Sequence, residues 1–271
     1  MLYAKKINLN NKNDSLSQIY NLVTDSSRVL DVGCACGGLA TALKKKKNCV
    51  IYGLEYNPKS VEICKKLKVF EKVWHYDLNG FKQEDFPQYK KFFDVIICAD
   101  VLEHLIFPEQ FLSKVQMLLK EEGKIIISLP NVAHASIKAN LLLNDFSYTQ
   151  MGILDKTHLH FYTYKSIAEF LSAANLKIIK ANFVMLPLDG WQPHKIDELP
   201  KDVAKFITRD KHSAVMQYIT ECIVQKCPVR KNIEMLNSIN VTTLKNSMMS
   251  KMKRLLMTKY PKIIKYVERF K

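Results

Sequence analysis

The stretch VLDVGCACGGLATAL, Val29 to Leu43, decides how the rest of the chain is read. An apolar run carries Asp31 into Gly33, a short turn holds Gly37 and Gly38, and a helix-forming segment follows. A strand that stops at a glycine-bearing turn and re-enters as a helix presents backbone N–H groups to a ligand beyond the strand's carboxyl end. The spacing is G-C-A-C-G, with Ala35 where a dinucleotide-binding turn has its middle glycine. There is little reason to expect a pyrophosphate here. A zwitterionic amino-acid group suits both the loop amides and Asp31.

Outward from this turn, strand-like runs alternate with helical ones. RVLDVG, CVIYGLE, KVWHYD, FDVIICA and GKIIISLP are separated by LATALKKKK, PKSVEICKKLK and EQFLSKVQMLLKEE. That rhythm predicts a parallel sheet covered by helices on both faces. After Pro130 it changes. Residues 131–164 are rich in His, Asn and aromatics, SIAEFLSAAN reads as a helix, and KIIKANFVML as a strand. A polar, Pro-containing stretch over 187–213 precedes a last strand-like run, SAVMQYITECIVQKC. Both 131–164 and 187–213 are read as substrate or lid insertions, and no internal repeat is evident.

At 271 residues and 48% hydrophobic, the chain suffices for one principal domain with appendages. No run approaches the roughly 18 uncharged apolar residues of a membrane span, and the first residues lack the apolar centre of a secretory signal. A cytoplasmic protein is expected. Seven cysteines scattered through strands and helices read as reduced thiols, and Cys34-x-Cys36 has no second pair at metal-binding spacing. Of the net charge of +15, the segment from Val229 to Lys271 carries +9, from 11 Lys/Arg against 2 Asp/Glu. This basic helical tail could lie on the anionic inner-membrane surface, dock on a partner, or pack on its own domain or on a second copy in a homodimer. Nucleic acid is not expected, because there is no Arg-rich recognition helix, zinc knuckle or aromatic RNA-binding motif.

The order of VLDVGCACG, Glu55 closing the second strand, FDVIICADVLEHL at the fourth and GKIIISLPN at the fifth resembles class I S-adenosylmethionine-dependent methyltransferases over residues 26–227. Within that class, ADVLEHL with LPNVAHASIKANLLLNDFSYTQMGILDKTHLHFYT is similar to bacterial methyltransferases of cell-surface polysaccharide and small-metabolite pathways. Ubiquinone-type O-methyltransferases share the first half. The resemblance implies a Rossmann-like, doubly wound α/β domain over residues 1–228, with a seven-stranded sheet, mostly parallel with one antiparallel strand, and the tail over 229–271. It implies S-adenosyl-L-methionine as cofactor. Gly33 and Cys34 would line its methionine portion, with Asp31 anchoring the loop or reaching the amino group. Gly37 and Tyr56 join this set, Asp77 would accept from the adenine amino group beside Leu78, and Ala99 and Asp100 would stand where the methyl group faces the acceptor. Glu55 is also read from position alone: an acidic residue ~20 positions beyond the glycine turn accepts hydrogen bonds from ribose hydroxyls.

A sulfonium already activates its methyl group, so the enzyme must align an electron pair and remove or withhold a proton. Imidazole suits that task at neutral pH. His104, His134, His158 and His160 fall in segments expected to cap the crevice, with His158 favoured as base or orienting group and His104 next. A metal-assisted alternative comes from D-V-L-E-H. In a helical turn Asp100, Glu103 and His104 stand at i, i+3 and i+4, and the ubiquinone-type enzymes resemble the chain there. Without a metal, Glu103 would brace the cofactor loop and His104 the lid. Asn131, His134, Tyr148, Asp155, Trp191 and His194 are candidates to hold a small or saccharide-type acceptor, and the basic surface favours anionic ones. The expected reaction is O-methylation. N-methylation of an amino sugar and a non-catalytic cofactor-binding scaffold are the alternatives.

Overall fold

The computed structural model describes residues 7–186 and 195–238. Trp191, His194 and the basic run beyond Ser238 lie outside the described residues. Each apolar run becomes a strand: β1 (Arg28–Val32), β2 (Val50–Glu55), β3 (Phe70–His75), β4 (Phe93–Ala99), β5 (Leu119–Pro130), β6 (Leu176–Met185) and β7 (Val215–Val224). They form a single sheet in the order β3-β2-β1-β4-β5-β7-β6. The first five pair in parallel, and β7 runs antiparallel to both β5 and β6. One reversed strand among seven is the arrangement expected from the sequence.

Helices α1 (Ser15–Leu22), α2 (Gly38–Lys47), α3 (Pro58–Lys66), α4 (Pro108–Val115), α5 (Ala135–Leu142), α6 (Tyr164–Ala173), α7 (Lys201–Thr208) and α8 (Val229–Asn237) complete the described fold. Successive side chains on a strand face opposite ways, so each central strand feeds two cores. Leu30, Ile96 and Ile127 meet Phe111 and Leu112 of α4, Leu171 of α6 and Leu236 of α8. Val29, Ile97 and Ile126 meet Ile19 of α1 and Leu39 and Leu43 of α2 on the other face. The crevice between these layers is thereby fixed by rigid elements.

One boundary differs from the sequence reading. EQFLSKVQMLLKEE is helical only to Val115, a single tight turn covers Gln116–Leu118, and β5 begins at Leu119. Leu119 pairs with Phe93 in the sheet and is buried in the core, so tertiary pairing overrides the helix propensity of LKEE. In the basic segment after Cys227, the described part forms α8. Its Asn232 is buried and its Leu236 enters the main core.

Candidate active site

In the sheet order, the chain winds from β1 to β2 and β3 on one side and to β4 and β5 on the other. Such a switch point opens a crevice beyond the carboxyl ends of the strands. Here it holds a cavity of 310 Å³. Asp31, Gly33, Cys34 and Ala35 of the first turn form one wall, with Gly38 and Leu39 at the start of α2. Ala99 and Asp100 at the end of β4 and Glu103 and His104 just after it form another. Ile153, Asp155 and His158 cover it from the lid segment.

The glycine turn is built around the backbone. Gly33 has φ +68°, and a Cβ there would stand 2.6 Å from Val101 Cγ2. Its N–H and that of Cys34 both donate to the Leu54 carbonyl, at 2.8 and 3.1 Å. The Ala35 N–H donates to Glu55 Oε2 at 2.8 Å, and Glu55 Oε1 accepts from the Asn57 N–H at 2.7 Å. These three turn amides are therefore spent inside the protein. The expectation that they receive the ligand is corrected accordingly; Gly38 and Leu39, at the start of α2 where helix N–H groups lack intrahelical partners, also line the cavity. Gly37 (φ +71°) serves packing instead, since a Cβ would fall 2.8 Å from Leu67 Cδ1 and 2.9 Å from Phe70 Cε2.

Asp31 is buried and lines the cavity, and burial together with the nearby Glu55 carboxylate pushes its carboxyl up to about 7. Glu55 itself clamps the glycine turn to the end of β2. One amide on each oxygen leaves lone pairs for further donors. Tyr56 is exposed, with its carbonyl 2.7 Å from His75 Nε2. Asp77 is exposed and accepts from the Asn79 N–H at 3.0 Å, while Leu78 is buried beside it. Glu55, Tyr56, Asp77 and Leu78 lie outside the cavity wall, toward β2 and β3.

At the other end, Asp100 adopts φ +54°. Its Oδ1 accepts from Ser128 Oγ at 2.8 Å and from Gln217 Nε2, which hold it at the tip of β4. Glu103 is 1% exposed, and its Oε2 has no hydrogen-bond partner among the described residues. Burial first, then the carboxylates of Asp100 and Asp155, raise its pKa well above the usual range. His104 Nδ1 lies 3.1 Å from the Thr157 carbonyl, and His158 Nδ1 lies 3.0 Å from that of Ile153. The two rings are 4.8 Å apart. Burial, with the neighbouring His104, holds the His158 imidazole below its usual pKa. The lid is tied down by Leu159 and His160 N–H groups donating to the Glu103 carbonyl, at 2.8 and 3.2 Å.

Among the acceptor candidates that fall in the described residues, only Asp155 lines the cavity, and its Oδ1 accepts from the Thr157 N–H and hydroxyl. Tyr148 is exposed on the lid, its ring packed against Phe146 at 5.6 Å. Asn131 and His134 are corrected: both are fully buried. Asn131 spends its amide on the carbonyls of Val215 and His212 and the N–H of Ala133. His134 caps α5 through Ser136 and reaches the Leu186 carbonyl at 2.9 Å. The proposed trio of Asp100, Glu103 and His104 is not what comes together; Glu103, His104 and His158 do. His160 stands outside the cavity wall. Sequence reasoning missed Ser15 and Leu16 of α1 and Gln217 of β7, all on that wall. Gln217 left a signal, a lone amide inside the apolar run VMQYI.

The expectation of anionic acceptors also meets a correction. Asp31, Asp100, Glu103 and Asp155 line the cavity, and no Lys or Arg does so among the described residues, although the chain carries +15.

A family profile described as a methyltransferase domain matches residues 9–181. The ubiquinone biosynthesis O-methyltransferase of Pasteurella multocida is 29% identical over 114 residues, covering 38% of this chain and 46% of that protein. The chain thus spans about half the length of that relative. A solved S-adenosylmethionine-dependent methyltransferase from Archaeoglobus fulgidus superposes with a TM-score of 0.56 at 18% identity, covering 79% of this chain and 94% of the other. The O-methyltransferase of a trans-AT polyketide multienzyme from Brevibacillus brevis, solved with S-adenosyl-L-homocysteine, gives 0.51 at 18% identity over 78% and 72%. These two structural likenesses speak to the fold alone. With the profile covering well over half its length and the switch-point crevice in place, the chain belongs to the methyltransferase-domain family, with the class I S-adenosylmethionine-dependent architecture.

Proposed function

We propose that the protein transfers the methyl group of S-adenosylmethionine to an oxygen of a small, uncharged, hydroxyl-bearing acceptor, with a sugar among the molecules that fit. The observation that carries this reading is the single cavity joining the glycine turn and Asp31 to the Glu103, His104 and His158 cluster. In it the cofactor's methionine end lies along Asp31, Gly33 and Cys34, and its ammonium and sulfonium are met by acidic walls. Glu55 accepts from the ribose hydroxyls through its remaining lone pairs, and Asp77 and Leu78 stand beside the adenine. Loss of the cofactor's positive charge on transfer then weakens its hold and helps product leave.

The transfer itself is an in-line displacement. The acceptor oxygen's electron pair forms the O–CH₃ bond, the S–CH₃ bond breaks, and its pair returns to sulfur as a neutral thioether. The acceptor's proton must leave, and the Glu103, His104 and His158 cluster is the part of the cavity equipped to draw it off. Incubation of the full chain with methyl-labelled S-adenosylmethionine and fractionated bacterial extract tests this. Label is expected in a neutral small-molecule fraction, and His104→Ala or His158→Ala should reduce it at least ~100-fold, the usual scale of lost acid–base assistance. Cofactor binding with no labelled product from any fraction would instead favour a non-catalytic binding module. Label confined to anionic acceptors would overturn the reading of the acidic walls.

A further inference from the structure

We propose that Gln217 of β7 and Ser15 of α1 form an acceptor-binding pole on the cavity wall, which takes a second hydroxyl of the acceptor while the first receives the methyl group. Both side chains line the cavity and are about nine-tenths buried or more, at 4% and 9% exposed. Gln217 Nε2 donates to Asp100 Oδ1, which also accepts from Ser128 Oγ. That bond fixes which way the amide points, because the reversed amide would set one acceptor against another. Gln217 Oε1 is therefore turned away from Asp100, and it has no hydrogen-bond partner among the described residues. The Ser15 hydroxyl has none there either. A buried carbonyl and a buried hydroxyl cost free energy unless a ligand meets them.

The fold brings the two residues to one place. Val184 and Met185 of β6 pair with Gln217 and Val215 of β7. Asn13 donates to the Met185 carbonyl at 2.8 Å and accepts from its N–H at 2.7 Å, and Gln18 Nε2 donates to the Phe183 carbonyl at 2.8 Å. The start of α1, with Ser15 two residues beyond Asn13, is thus pinned at the end of β7 that carries Gln217. Chemistry then limits the ligand. Gln217 Oε1 can only accept, whereas Ser15 Oγ both donates and accepts. A hydroxyl satisfies the pair at once, giving its hydrogen to Gln217 and accepting from Ser15. A carbonyl or ether oxygen offers nothing to Gln217, and a carboxylate or phosphate would also set negative charge beside Asp31 and Asp100 on the same wall. The Glu103, His104 and His158 cluster, from the turn after β4 and the lid, is left for the hydroxyl that is methylated. The acceptor class narrows from any neutral hydroxyl compound to one with at least two hydroxyls, a polyol or a sugar. This inference rests on the transfer proposed above.

The test uses the full chain and the neutral fraction of bacterial extract that takes label from methyl-labelled S-adenosylmethionine. Treated with acetic anhydride, the purified labelled product should gain at least one acetyl group by mass spectrometry and lose it in mild base, as an ester on a remaining hydroxyl does. With that fraction as acceptor, Gln217→Met, which keeps the length and removes the amide, should raise KM about tenfold, with a much smaller change in kcat. Ser15→Ala, which leaves the contact to Asp100 in place, should raise KM in the same direction, and it decides the matter alone should Gln217→Met not fold. Thermal melts check folding, and calorimetry should show both variants binding S-adenosylhomocysteine as wild type does. A product that takes no acetyl group, or variants that lower kcat or S-adenosylhomocysteine affinity while KM holds, overturns the proposal and leaves the methyltransferase reading in place. S-adenosylhomocysteine binding without any labelled product removes the transfer reading, and this inference with it.

Discussion

Asp31 sits at the meeting of stability and binding. An aspartate in an unfolded chain titrates near ~3.9, while burial and Glu55 push this one up to about 7. Between those two pH values the folded chain keeps a proton that the unfolded chain has released, so Asp31 costs stability progressively as pH rises through the window, and the loss is complete above about 7. Glu103, also raised, acts in the same direction. His158 and His212, whose imidazoles burial holds below the usual value, act in the opposite one. The difference between wild type and Asp31→Asn therefore isolates the effect. In thermal melts of the cofactor-free chain, the variant should gain stability relative to wild type as pH goes from 5 to 8; parallel curves would contradict the assignment. At this scale the sequence was legible where backbone geometry dictates the residue. Gly33 could be named because the turn after β1 needs a left-handed residue there, whereas Asp31 was named from the family resemblance and its fit to a zwitterionic ligand. Asn131 and His134 misled, because a sequence does not reveal that a polar side chain in a lid segment will spend its hydrogen bonds on nearby backbone.

The end of the sheet is protected by side chains outside the cavity. β6 is an edge strand, and edge strands expose N–H and C=O groups to unwanted pairing. Two asparagines blunt this one. Asn232 of α8 accepts from the Ile178 N–H and donates to the Leu176 carbonyl, both at 2.9 Å, while Asn13 makes the same pair with the N–H and carbonyl of Met185 at 2.7 and 2.8 Å. Since Asn232 is buried, Asn232→Ala strands two backbone groups and should cost about 1–3 kcal/mol in urea denaturation. Asn13→Ala, on an exposed face, should cost less. Equal losses would mean that the amide of Asn232 is not what holds α8 to the edge. The strands were legible from their apolar runs. The early end of α4 was not, because LKEE is drawn into β5 by its pairing with β4, a contact that no local propensity encodes.

The whole molecule sets a basic exterior against an acid-lined cavity. That contrast was invisible in the net charge of +15, which describes the chain and not its interior. The doubly wound sheet was legible because alternation of strands and helices leaves few topologies. Which lid residue would meet the turn after β4 was not, since His158 and His104 are joined only by the fold. Among the described residues no helix is long and apolar enough to cross a membrane. The central claim is that Glu55 holds a nucleoside sugar at the mouth of the crevice. Calorimetric titration of S-adenosylhomocysteine into the full chain measures it most directly. The account predicts saturable binding at one site, weakened at least tenfold, or about 1.4 kcal/mol, by Glu55→Ala. No saturable binding by the wild-type chain, or equal affinity in the folded variant, would contradict it.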